Sequence, residues 1–72
     1  MATKTAQAEI IGWHERAKEE ASKNAPDGFR LWEICPTDKY ARNVAKRYNF
    51  KGFLIRPDSL DGEAFFALYT PR

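Results

Sequence analysis

The residues best equipped to do chemistry lie between positions 38 and 56, in the stretch DKYARNVAKRYNFKGFLIR. There Lys39, Arg42, Lys46, Arg47, Lys51 and Arg56 stand against the single carboxylate of Asp38. A run of this kind suits phosphate, because arginine grips oxygens through a planar fork and lysine supplies a compact point charge. Tyr40, Tyr48 and Phe50 interleave with those bases. An aromatic ring stacked on a nucleobase contributes about 1–3 kcal/mol with little sequence preference. The competing expectation is a solvated face, since Lys and Arg are good helix formers that also keep a surface helix soluble. The purity of sign favours a ligand: the earlier segment ERAKEE, residues 15–20, mixes its charges, whereas 39–56 adds no acid to its bases. No segment matches the consensus of an RNA-recognition motif.

Other chemistries are poorly supplied. Cys35 is the only cysteine and His14 the only histidine, so an internal disulfide and a Cys/His zinc site are both excluded by composition. The segment ICPTD at 34–38 resembles the CPT segment around the peroxidatic cysteine of the thiol peroxidases. A cysteine just before a helix N-terminus would have a lowered thiol pKa. The resemblance covers three residues of a far longer domain, and the sequence reading of Cys35 is a small apolar residue that ends a strand. Asp58, Asp61 and Glu63 in PDSLDGE lack the alternation of a calcium loop, and Asp, Ser and Gly at such spacing are ordinary turn chemistry. There is no Gly-rich phosphate loop. These patterns predict neither a catalytic residue, a metal, a cofactor nor a small-molecule substrate.

The elements that must position the basic run follow from periodicity and punctuation. TAQAEIIGWHERAKEEASKN, residues 5–24, reads as an amphipathic helix capped by Thr5, with Ala6, Ile10, Trp13, Ala17 and Ala21 on one face. Pro26 stops it and PDG makes a turn. FRLWEIC at 29–35 is rich in aromatic and branched side chains and predicts a strand. Thr37 caps a second helix of about 12 residues with Asp38 in its first turn, where the helix dipole favours a negative charge. Ala41, Val44, Ala45 and Tyr48 form its buried stripe, Tyr40 is the aromatic expected outside, and Asn49 suits the left-handed residue that ends the helix. GFLIR at 52–56 and EAFFALY at 63–69 then form a hairpin around the loop PDSLDG.

The whole is one small α+β domain, residues 1–72, in the order α-β-α-β-β. Three mostly antiparallel strands with both helices packed on one face is the expected architecture. A winged helix would need two helices between its first strand and its wing, and a single helix of about 12 residues fits in that gap, which demotes the helix-turn-helix reading. Phe65, Ala67 and Tyr69 alternate with Phe66 and Leu68, so the last strand is apolar on both sides. With both helices on one face, the other would display aromatics such as Trp32 or Phe66.

The net charge of +2 and pI near 8.9 are only mildly basic, yet the charge is uneven. Residues 1–35 carry five basic side chains against six acidic, a sum of −1, and residues 36–72 carry seven against four, a sum of +3. No signal peptide and no apolar run of spanning length is present, which points to the cytoplasm of a cell or host cell. Two binding functions follow. The first is a non-catalytic module that contacts nucleic-acid phosphates through Lys39, Arg42, Lys46, Arg47, Lys51 and Arg56, with Tyr40 stacking. The second is an accessory or inhibitory module, of the compact kind that phages often encode, which docks on a larger protein or forms a homodimer through Trp32, Phe66 and Leu68. Aromatics are common interface hot spots.

Overall fold

A computed structural model describes the backbone of residues 2–72 and the side chains of residues 12–72. The chain forms α1 (Ala2–Lys23), β1 (Phe29–Cys35), α2 (Asp38–Arg47), β2 (Leu54–Leu60) and β3 (Glu63–Pro71). The predicted α-β-α-β-β order is therefore present. The three strands make one antiparallel sheet with β3 between β1 and β2. Thr5, expected as a cap, lies inside α1. The side chains of Ala6 and Ile10, expected on the apolar stripe, lie outside the described residues.

The central position of β3 follows from its side chains. Phe65, Ala67 and Tyr69 are buried in one cluster with Ala17 and Ala21 of α1, while Leu68 is buried in a second cluster with Ala41 and Ala45 of α2. Successive side chains of a strand point to opposite faces, so the two helices pack on opposite faces of the sheet. This corrects the expectation that both would lie on one face. A two-sided apolar strand loses burial energy unless each face is covered, and with only three strands a helix is the available cover for each.

Both helices meet the sheet through an alanine pair at i and i+4, Ala17/Ala21 in α1 and Ala41/Ala45 in α2, all four fully buried. Such pairs fall on one helix face and keep the backbone close to the sheet. The short approach lets Tyr69 reach the main chain of α1: its hydroxyl donates to the Ala21 carbonyl at 2.7 Å. Trp13 similarly donates its indole N–H to the Leu60 carbonyl at 2.9 Å, and packs edge-on against Phe65 with centroids 5.8 Å apart.

The hairpin is longer and tighter than the sequence reading had it. The residues of the expected loop PDSLDG extend β2 as far as Leu60, which pairs with Glu63. Only Asp61 and Gly62 turn, both at positive φ (54° and 80°), as a two-residue turn between twisted strands requires. Pro57, which has no N–H for a ladder, is accommodated because β2 is an edge strand.

β1 carries a further irregularity. Leu31 pairs with Tyr69 and Glu33 with Leu68, so Trp32 is an extra residue in a β-bulge. The bulge resets the alternation. Leu31 and Ile34, three positions apart, both reach the α1 cluster, and Cys35 reaches the α2 cluster.

The placement of α2 over β3 predicts that Leu68→Ala lowers the unfolding free energy by about 2–5 kcal/mol, as for other fully buried leucines. Urea denaturation followed by circular dichroism measures it, and a loss well under 1 kcal/mol, typical of surface changes, would contradict the burial of Leu68 under α2.

Candidate nucleic-acid interface

α2 is set by two local signals at its ends. The Thr37 hydroxyl accepts from the Tyr40 N–H at 3.0 Å, as an N-cap residue does for an orphan donor of the first turn. At the other end Asn49 adopts φ 56°. Its N–H bonds to the Lys46 carbonyl, and the Phe50 N–H bonds to the Ala45 carbonyl at 2.9 Å, the paired closure of a Schellman turn. Each cap falls where the sequence placed it.

Between these ends, burying Ala41 and Ala45 turns the opposite face outward. Lys39, Arg42, Asn43, Lys46 and Arg47 are all exposed, as is Lys51 just beyond. Arg42 is engaged, its Nε donating to the Asp38 carboxylate at 2.8 Å across one helical turn. Among the described residues, Lys39, Lys46, Arg47 and Lys51 form no ion pair. Helical spacing puts Lys39, Lys46 and Arg47 on the outward side of α2, away from Ala41 and Ala45, and Lys51 follows just past its C-terminal turn.

Arg56 does not join them. It pairs with Ala67 in the β2–β3 register, and Ala67 belongs to the α1 cluster, so Arg56 projects to the α1 side of the sheet. There it lies near Tyr69, whose hydroxyl is pushed up by burial and by the Asp58 carboxylate, with Arg56 acting in the opposite sense. The expected six-base surface is thus divided by the sheet. Arg30, which the sequence reading left out of the basic set, alternates with Phe29 and Leu31 of the α1 cluster. It pairs with Thr70 and emerges exposed on the α2 side.

The aromatics also sort differently. Tyr40 is 48% exposed, in keeping with its expected place. Tyr48 was expected in the buried stripe, but it is 57% exposed, because the helix ends at Arg47 and Tyr48 is the C-cap residue, at φ −89° and ψ 1°. It stacks on Phe50 with centroids 5.6 Å apart and planes at 17°. Trp32 leans on both, 4.8 Å from Phe50 and 5.6 Å from Tyr48, and remains 41% exposed. Of the residues expected at a protein interface, Leu68 is 0% exposed beneath α2 and Phe66 is half-buried. The continuous aromatic sheet face is therefore absent, and Trp32 belongs to the end of α2 instead.

The remaining candidates fall into ordinary structural roles. Asp61 pairs with Arg16 at 2.9 Å, Asp58 accepts from the Ser59 N–H at 2.8 Å, and Glu63 faces Leu60 across the hairpin. Among the described residues, no three His, Cys, Asp or Glu side chains converge on a common point, and no helix is long and apolar enough to cross a membrane. His14 lies exposed at the rim of an open cleft of about 260 Å³, lined also by Trp13, Ile34, Pro36 and Phe65. The Cys35 thiol is buried beside Ala41, Ala45 and Leu68. Burial pushes it up to about 11, with the Glu33 carboxylate adding to the shift. A lowered pKa, as the three-residue resemblance would imply, is the opposite of what the site imposes, and a thiol kept protonated is a poor nucleophile.

Comparison with known proteins returns no match, whether against family models, curated proteins or solved structures.

The Cys35 environment carries a pH prediction. An unfolded cysteine ionises near pH 8.5, below the folded value of about 11. Between these values the unfolded chain has lost the proton that the folded chain retains, so stability is fully present below about pH 8.5 and falls as pH rises towards 11. Urea midpoints at pH 8 and pH 10 should drop for the parent chain and drop less for Cys35→Ala. Equal drops would contradict a raised thiol pKa.

Proposed function

We propose that this chain is a non-catalytic module that binds nucleic acid by its phosphates, through the exposed face of α2 and its exit. The observation that carries this reading is the strip of Lys39, Lys46, Arg47 and Lys51. All four are exposed and unpaired among the described residues; Lys39, Lys46 and Arg47 sit on a helix fixed at both ends by caps, and Lys51 lies just past its C-terminal turn. A rigid basic strip neutralises phosphates and releases their counterions, which gives affinity without any base contact. Arg42 contributes less than its position suggests, because Asp38 already holds it. Arg56 lies outside the contact, on the other side of the sheet.

The alternative expectation, a protein-binding accessory or inhibitory module or a homodimer through the sheet, loses one of its three residues because Leu68 is buried under α2. Trp32 keeps that reading in view, since it is 41% exposed and tryptophan is a usual hot-spot residue. A partner docking there would meet Arg47 and Lys51 at the same time, and so would need to be acidic.

The two readings part in solution. With a fluorescently labelled duplex at low salt, anisotropy should report binding whose log affinity falls with log salt at a slope of roughly −3.6, four contacts at about 0.9 each. The double variant Lys46→Glu/Arg47→Glu should weaken binding by about a hundredfold or more, from two lost contacts and two introduced repulsions, while circular dichroism shows it still folded, since each charge reversal in the last helical turn costs only about 0.3–1 kcal/mol. Absence of binding by the parent chain at low salt would overturn the nucleic-acid reading.

A further inference from the structure

The phosphate strip ends at an aromatic cluster that phosphate binding does not use. Three separate features deliver its members to one place. The bulge in β1 places Trp32 outside the regular pairing, the C-cap position holds Tyr48 beyond the buried stripe, and the Schellman turn sets Phe50 beside them. Tyr48 and Phe50 lie nearly parallel at 17°, which occupies one face of the Tyr48 ring, and Trp32 braces both at 72° and 59°. The outer faces of Trp32 and Tyr48 remain open, at 41% and 57% exposure. An aromatic in the core removes roughly 150–250 Å² from water, so two large rings left half outside forfeit much of that gain.

The neighbours of the cluster indicate what covers it. Arg47 precedes Tyr48, Lys51 follows Phe50, and Arg30 lies two residues before Trp32 on the same side of the sheet. Glu33, the one acid nearby in β1, is half-buried beside Cys35. A ligand that reaches these rings must therefore be anionic and must present flat π-faces within a phosphate spacing or two. In a duplex the base faces are already stacked and out of reach. In a single strand they are free, and basic grooves floored by aromatic side chains hold single strands by stacking.

We infer that the preferred ligand is single-stranded nucleic acid, with phosphates along Lys39, Lys46, Arg47 and Lys51 and unpaired bases stacked on Trp32 and Tyr48. This rests on the proposed role of α2 as the phosphate-binding face and adds strand selectivity to it. Each stacked base is worth on the order of tenfold in affinity.

The test uses the full chain and three labelled probes at one low salt concentration: a short oligothymidylate, an abasic strand with the same number of phosphates, and a duplex. The oligothymidylate should bind about tenfold or more tighter than the other two, quenching tryptophan fluorescence as it does so. Trp32→Leu keeps an apolar side chain against Phe50 and removes the stacking ring, and Tyr48→Ala removes a mostly exposed one. Each should bring oligothymidylate down towards the abasic level and leave abasic and duplex affinities unchanged. The Trp32→Leu chain, which retains Trp13, should also lose the quench. If one variant fails to fold by circular dichroism, the other carries the test. Equal affinity for all three probes would overturn the strand selectivity and leave the phosphate reading standing. A preference for oligothymidylate that survives both variants would overturn its assignment to these rings. No binding of any probe would remove the phosphate reading and this inference together.

Discussion

A strand with apolar side chains on both faces has to be covered twice, and β3 imposes that demand on the rest of the chain. Phe65, Ala67 and Tyr69 draw α1 to one face, while Leu68 draws α2 to the other. With β1 and β2 on its two edges, β3 is enclosed on four sides. Chain entropy nearly cancels the burial energy of a domain this small, so little of this cover is dispensable. The alanine pairs show how closely the helices come: with no side chain beyond Cβ, the α1 backbone sits within hydrogen-bond reach of the Tyr69 hydroxyl. Because the inner face of α2 is spent on this contact, its charged residues have nowhere to go but outward.

The bulge in β1 is the second consequence. FRLWEIC cannot alternate regularly and still bury its apolar residues on the right sides, since Leu31 and Ile34 are three apart and both belong with α1. The extra residue resolves the conflict, and that residue is Trp32. A bulge re-aims a side chain without ending the strand. Here it delivers Trp32 to the C-terminal end of α2, where Tyr48 and Phe50 meet it. The basic strip and the aromatic cluster are thus by-products of core constraints that the chain brings together at one end of one helix.

Features encoded by short-range chemistry were legible in the sequence. The element order, the Thr37 cap, the left-handed Asn49 and the outward face of α2 each depend on a few neighbouring residues. The alternation of Phe65 to Tyr69 also showed that β3 is apolar on both sides. Which helix covers which face was not legible, because helix placement depends on long-range packing. Pro57 suggested a loop, although an edge strand accepts it, and the Asp61–Gly62 pair already carried the signal of a two-residue turn. Tyr48 fits the helical stripe by spacing and leaves it only because the helix ends one residue earlier. Arg56 is near α2 in sequence and across the sheet from it in space. The aromatic cluster needed both the bulge and the helix end, and no local pattern contains either.

The most direct test of the account is an amide-resolved NMR titration of the labelled chain with a short oligothymidylate. Shift changes should be confined to Lys39–Lys51 and to the bulged part of β1, with the Trp32 indole N–H among the most perturbed and the Trp13 indole, held by the Leu60 carbonyl, unmoved. Changes centred on β2 and the exposed side of α1, with α2 silent, would contradict the assignment of the binding face, as would no change at all at low salt.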